Sequence, residues 1–190
     1  HSVLSMAGLA DEEDVFAAVV PSARRRLVWL GVNILTAFLG AFVVSNFEGT
    51  IERVAVLAAL LPVVSSMGGI AGTQTVTLLI RGIALGKVEW ANARWLLFKE
   101  IAVGGLNGMI VAFAVGVITI VLFGRWQVAA IVAAAMLMNL LAAATVGVVV
   151  PLALRRLRID PALSAGVILT TFTDCIGFAT LLSLGALFLT

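Results

Sequence analysis

Asp174 is the residue of this chain best placed to do chemistry, because twelve uncharged residues precede it back to Ala162 and sixteen follow it to Thr190. An ionised carboxylate in such a setting lies deep in an apolar phase, at a cost of about 2.5 to 3.5 kcal/mol on lenient insertion scales, unless it faces protein or water and has a partner. The residues around it supply a surface for one. Gly166, Thr170 and Asp174 fall at i, i+4 and i+8, with Thr173 and Gly177 at i+7 and i+11. On a helix this spacing puts an acid, two hydroxyls and two positions without a side chain on one face.

No lysine or arginine interrupts the apolar stretches deeply enough to neutralise that acid, so a permeating cation is the natural counter-charge. One carboxylate matches a divalent ion poorly. Homo-oligomers are most often two-fold symmetric, and an axis along this helix would pair two copies of Asp174. Two carboxylates, threonine hydroxyls and carbonyl oxygens freed beside Gly166 would form an all-oxygen lining, suited to a hard cation such as Mg²⁺ that keeps much of its water. The competing reading is an aspartate bonded to a neighbouring helix for structure alone.

A second polar stretch, PVVSSMGGIAGTQT at residues 62–75, interrupts another apolar run. Gly68, Gly69 and Gly72 predict a weakened helix after Pro62, tolerated at membrane depth only where protein covers it or a wet cavity adjoins it. Ser66, Gly69, Thr73 and Thr77 share one narrow polar face, which reads as pore lining. Close helix packing is the alternative, since glycine and serine also serve helix contacts.

The elements that must hold these residues follow from composition. With 62% apolar and 12% charged residues, and a mean hydropathy of +1.18, the chain is outside the range of water-soluble domains. Five apolar stretches are long enough to span a hydrocarbon core of about 30 Å. They lie at about 27–46, 54–80, 95–123, 128–154 and 161–190. Without strand-like alternation they predict an all-α, polytopic membrane protein, since helices satisfy their own backbone where no water can. Ten of the twelve lysines and arginines flank the start of the first span and the second and fourth connections; only Arg53 and Arg125 fall elsewhere. Positive residues stay inside, so the N-terminus is expected in the cytoplasm and the C-terminus outside the cell inner (plasma) membrane.

Other features read as architecture. Gly104, Gly108, Ala112 and Gly116 recur every four residues, a seam for close approach of a second helix. Asp160 and Pro161 suit an N-cap and a first helical turn. Arg155, Arg156 and Arg158 suit anchoring at lipid headgroups, and Glu100 a bond to a neighbouring helix. Cys175 is the only cysteine and reads as a small buried hydrophobe. Residues 1–23 form an expected cytoplasmic linker segment, with 24–190 as the membrane domain. The first twenty residues read as the cut end of something longer. Asp11, Glu12, Glu13 and Asp14 are either a solvated first helical turn or a regulatory cation site.

Several of these segments together resemble the MgtE-type magnesium channel and transporter family. GGIAGTQ within residues 62–75 resembles its GGNxGxQ motif. RRRLVWLGVNILTAF (24–38), RGIALGKV (81–88), FKEIAVG (98–104) and DPALSAGVILTTFTDCIGF (160–178) resemble other family segments in the family's order. The resemblance implies a five-helix protomer, a homodimer with a central pore lined by the second and fifth helices, and hydrated Mg²⁺ bound at Asp174, with Gly166 and Thr170 lining the same site. It also implies that residues 6–23 correspond to a linker helix leading to cytoplasmic sensor domains, which have no counterpart in this sequence. Ile70 departs from the pattern, standing where the family usually has asparagine.

The expected function is therefore a pore domain conducting largely hydrated Mg²⁺ into the cytoplasm, with no covalent chemistry and no nucleic acid. Its partners would be a second copy and membrane lipids. A proton- or sodium-coupled carrier of a small cation and a non-conducting structural subunit are the alternatives. The expected ion ligands are Asp174, Thr170, Gly166 and Thr173. Ser66, Gly69, Thr73 and Gly177 are the expected pore lining.

Overall fold

A computed structural model describes residues 15–190, apart from the side chain at position 163. The acidic run at residues 11–14 lies outside the described residues. Six helices and no strand occur among those described: α1 (Val19–Ser45), α2 (Glu48–Arg53), α3 (Val56–Ala84), α4 (Ala93–Phe123), α5 (Trp126–Arg156) and α6 (Pro161–Phe188). All except the six-residue α2 are long and apolar enough to cross a membrane. At about 1.5 Å per residue, a helix such as α4 with its 31 residues reaches about 46 Å, enough to cross the hydrocarbon and enter the headgroup layers. Trp90 and Trp95 near its start and Trp126 just past its end are all exposed, as interfacial aromatic belts require. The helix α1 begins at Val19 and passes without a break through the expected boundary at residue 24.

The central element is α5. It packs against α3, α4 and α6, whereas α1 lies outside, against α6. Its alanine-rich sequence lets three neighbours approach, and Val128, Val132, Ala135, Met136 and Leu140 are buried along it. The expected glycine seam of α4 faces this helix. A Cβ at Gly104 would stand 2.9 Å from Ala144 Cβ, and one at Gly108 2.8 Å from a Leu137 methyl. Most apolar side chains of α1 point outward, in keeping with a lipid-facing surface, and only Gly40 of that helix is buried.

The connections explain the order of the bundle. Residues 124 and 125 alone join α4 to α5; Gly124 has φ +68°, the left-handed conformation that caps α4 and reverses the chain. The Asp160 side chain accepts a bond from the Ala162 amide, with Pro161 in the first turn, as its sequence predicts. Arg155 and Arg156 do more than face headgroups. Arg155 Nη1 donates to the Val88 carbonyl at 2.8 Å, and the Arg156 guanidinium lies 5.8 Å from the Trp90 ring centre. These contacts tie the end of α5 to the α3–α4 connection, so the two most basic connections share one end of the bundle.

The expected weakening of the helix after Pro62 does not occur. The helix α3 runs unbroken for 29 residues with Pro62 inside it. Two of its glycines instead admit neighbours: a Cβ at Gly68 would overlap the amide of Asn139, and one at Gly72 would stand 2.5 Å from a Leu169 methyl. Asn139 is fully buried where α3, α5 and α6 meet, and its Nδ2 donates to the Val64 carbonyl at 2.9 Å.

Candidate cation site

The site forms in the groove between α3 and α6 beside that junction. Asp174 is half-buried, and its Oδ1 accepts a hydrogen bond from the Ser65 hydroxyl of α3. A cavity of about 410 Å³ opens beside the pair. That is room for several waters at about 30 Å³ each. Ser66, Gly69 and Thr73 form its α3 wall and Thr170 joins Asp174 on the α6 side. Ile70 and Gln74 complete it, so the isoleucine stands on the cavity wall with its side chain 52% exposed.

Three of the four lining hydroxyls are already committed as donors. Thr73 Oγ1 donates to the Gly69 carbonyl at 2.8 Å, Thr170 Oγ1 to the Gly166 carbonyl at 2.9 Å, and Ser65 to Asp174. A hydroxyl has one proton and two lone pairs, so each of these presents acceptor capacity to its surroundings. No lysine or arginine lines the cavity. Acceptors around an uncompensated carboxylate suit a cation or its water, and oppose an anion.

The expected ligand set separates in the structure. Asp174 and Thr170 stand together, facing Ser66, Gly69 and Thr73. Gly166 lies one turn away in an adjoining cavity of about 260 Å³, which shares Thr73 and Thr170 with the first. Its carbonyl is not freed, since α6 is continuous there and Thr170 bonds to it. Thr173 is fully buried and donates to the Thr170 carbonyl at 3.2 Å. Gly177 is turned into the three-helix junction, where a Cβ would stand 2.9 Å from the Asn139 amide nitrogen and 3.3 Å from a Val64 methyl. Helix spacing gives all five residues a common arc, but α3 and α5 close over the Thr173–Gly177 side of it. Among the described residues, no group of three or more histidines, cysteines, aspartates or glutamates is assembled, so one protomer brings a single carboxylate to this cavity.

Ser65, Gln74 and Asn33 were not singled out from the sequence. Ser65, Gly69 and Thr73 are also spaced by four, a signal as strong as that of Ser66. Nothing local distinguishes Asn33, which reaches the adjoining cavity from α1.

Comparison with known proteins settles the family. A model of the MgtE divalent cation transporter family matches residues 61–184, 124 of the 190 residues. The chain belongs to the MgtE family. It is 28% identical over 153 residues to the magnesium transporter MgtE of Bacillus subtilis, covering 80% of this chain and 34% of that protein. It is 32% identical over 164 residues to the magnesium transporter MgtE of Thermus thermophilus, covering 86% of this chain and 36% of that protein. A third relative, the magnesium transporter MgtE of Enterococcus faecalis, is 25% identical over 188 residues, covering 96% of this chain and 41% of that protein. The chain thus spans about a third to two fifths of the relatives it matches. The matched MgtE region contains most of α3, all of α4 and α5 and most of α6, including both walls of the Asp174 cavity. Family and helices together make this a multi-pass membrane protein of a transporter family.

Proposed function

We propose that this chain is the pore-forming part of a magnesium channel, passing largely hydrated Mg²⁺ into the cytoplasm down its electrochemical gradient. The observation that carries the reading is Asp174 among serine and threonine hydroxyls in a cavity without a basic side chain. Mg²⁺ dehydrates reluctantly, so a wide cavity that bonds its water suits it better than a tight cage. The names of the three relatives support the choice of ion.

The working unit in this proposal is a homodimer in which two Asp174 carboxylates face a common axis. The single carboxylate supplied by one protomer is the reason for it, because a divalent charge then finds its match only in the pair. The basic end of the bundle, holding Arg155, Arg156 and the α3–α4 connection, faces the cytoplasm of the cell inner membrane by the positive-inside rule. Asp11, Glu12, Glu13 and Asp14 would then lie on that side, available to bind cytosolic Mg²⁺ in concert with sensor domains.

The test is Mg²⁺ uptake into liposomes holding the protein and a Mg²⁺-sensitive dye. Uptake that follows the imposed Mg²⁺ gradient and voltage without an added proton or sodium gradient is expected. Dependence on a coupling ion would make the protein a carrier, and absence of uptake by well-inserted protein would make it a scaffold.

A further inference from the structure

We infer that the path from Asp174 contains a second, uncharged station for the hydrated divalent cation, formed by Asn33, Thr73 and Thr170 in the adjoining cavity. The inference rests on the proposed pore function and extends it by a site. The two cavities adjoin at Thr73 and Thr170, which line both. Along α6 the step from Asp174 to Thr170 is one turn, about 6 Å of axial rise.

The chemistry of this second space is set by its hydrogen bonds. Asn33 is half-buried, and its Nδ2 donates to the Trp29 carbonyl at 2.9 Å, which fixes the amide orientation and leaves Oδ1 as an acceptor with no intrahelical role. Thr73 and Thr170 spend their only hydroxyl protons on Gly69 and Gly166. Three side chains from three helices, α1, α3 and α6, therefore bring oxygen lone pairs to one cavity of about 260 Å³. Its lining contains no charged side chain of either sign. A bare Mg²⁺ would find no carboxylate there, whereas an ion carrying its first water shell donates hydrogen bonds outward and meets acceptors on three sides.

An uncharged station next to a charged one also meets a requirement of conduction. An ion held only by carboxylates binds well and leaves slowly; a neighbouring weaker site lowers the step out. Asn33 is the specificity-bearing member, because the two threonines also serve the Asp174 cavity and α1 contributes Asn33 to this one alone.

The experiment compares Asn33→Leu, Asn33→Gln and Asn33→Asp in the full chain, reading Mg²⁺ flux in liposomes and Mn²⁺ binding by electron paramagnetic resonance. Asn33→Leu is expected to lower flux about threefold, the loss of one hydrogen bond to the ion's water, while Mn²⁺ affinity at Asp174 stays within about twofold. Asn33→Gln restores part of the flux by returning an amide. Asn33→Asp gives the second station a charge, so the Mn²⁺ bound per protein rises while flux falls. Wild-type flux in Asn33→Leu, or an equal loss of Mn²⁺ affinity and flux, overturns the station, as does unchanged Mn²⁺ stoichiometry in inserted Asn33→Asp. Asp174→Asn run alongside separates the two ideas. If it abolishes binding and flux while Asn33→Leu changes neither, only the second station fails; if it changes neither, the pore reading fails with it.

Discussion

Asp174 and Glu100 both lie in spanning helices, and α3 touches each of them with a hydroxyl. Ser65 donates to Asp174, and Thr75 donates to Glu100 Oε2 at 3.4 Å. The two hydroxyls are ten residues apart on α3, which turns them about 80° from one another at about 100° per residue. Their surroundings then diverge. Glu100 is 5% exposed, beside a cavity of about 180 Å³ with Lys99 in its lining. Asp174 is half-buried beside a space of about 410 Å³ with no basic lining residue. An intramembrane acid is thus not by itself an ion site. Glu100 is buried and takes a long hydrogen bond from Thr75 of α3, as its sequence position predicts, with Lys99 lining the cavity beside it. Asp174 has the hydroxyl without the cation.

The largest effect that this contrast predicts is at Asp174. Asp174→Asn keeps the size and hydrogen-bonding capacity of the side chain and removes its charge. Mg²⁺ uptake by liposomes should fall to background while the protein still inserts and elutes from size-exclusion chromatography as wild type does. Uptake near the wild-type rate would place the charge requirement elsewhere. Disassembly of the variant in detergent would instead make Asp174 a structural residue like Glu100.

A smaller loss is expected at Ser65. Its hydroxyl fixes one carboxylate oxygen of Asp174, so Ser65→Ala frees the carboxylate to rotate without altering its charge. A bond to a charged group is worth about 1.5 to 3 kcal/mol when both partners are well held, and half-burial with nearby water reduces it. Mg²⁺ affinity should drop about threefold to tenfold, and discrimination against Ca²⁺ should drop with it because the site loses a defined shape. Competition uptake with Mg²⁺- and Ca²⁺-sensitive dyes measures both. Lower affinity with unaltered selectivity would mean that Ser65 only supports the helix contact.

Ile70 tests the wall opposite. It is 52% exposed and lines the Asp174 cavity, where an amide could bond the ion's water. Ile70→Asn should raise Mg²⁺ flux or Mg²⁺-over-Ca²⁺ preference by about twofold, a few tenths of a kcal/mol for one solvent-shared contact. Equal flux and preference in the two proteins would mean that the hydrated ion does not touch this wall.

What the sequence disclosed follows a physical division. Asp160 and Pro161, the small-residue seam of α4 and the five spans are set by bonds within a helix or by its solvent, and local spacing reports both. The grouping of Asp174 with Thr170, and of Ser66 with Gly69 and Thr73, was legible for the same reason. How helices cross was not. Thr173 and Gly177 share the arc of Asp174 on α6, yet α3 and α5 cover them at Asn139. Gly68 and Gly72 read as breaks in a helix, but they are the places where Asn139 and Leu169 enter. Ser65 and Asn33 acquire roles only through partners distant in the chain, Asp174 and the α3 and α6 walls respectively.

Glu100 supplies the other arm of the comparison and the smallest expected effect. Glu100→Gln preserves an oxygen that can accept from Thr75, and Thr75 also reaches the Ala71 carbonyl at 3.4 Å, so its hydroxyl is not left without an acceptor. The Thr75 contact between α3 and α4 should persist with a loss of about 1 kcal/mol or less, read as a small shift in thermal unfolding in detergent. Flux should remain within about twofold of wild type, since no ion needs to meet this carboxylate. There is one route by which this could fail. Gln74 lines both cavities, the one beside Asp174 and the one beside Glu100. If Glu100→Gln removed uptake as completely as Asp174→Asn while unfolding at the wild-type temperature, the ion path would have to pass Gln74 and draw on both acids. The distinction between a structural carboxylate and a conducting one would then dissolve.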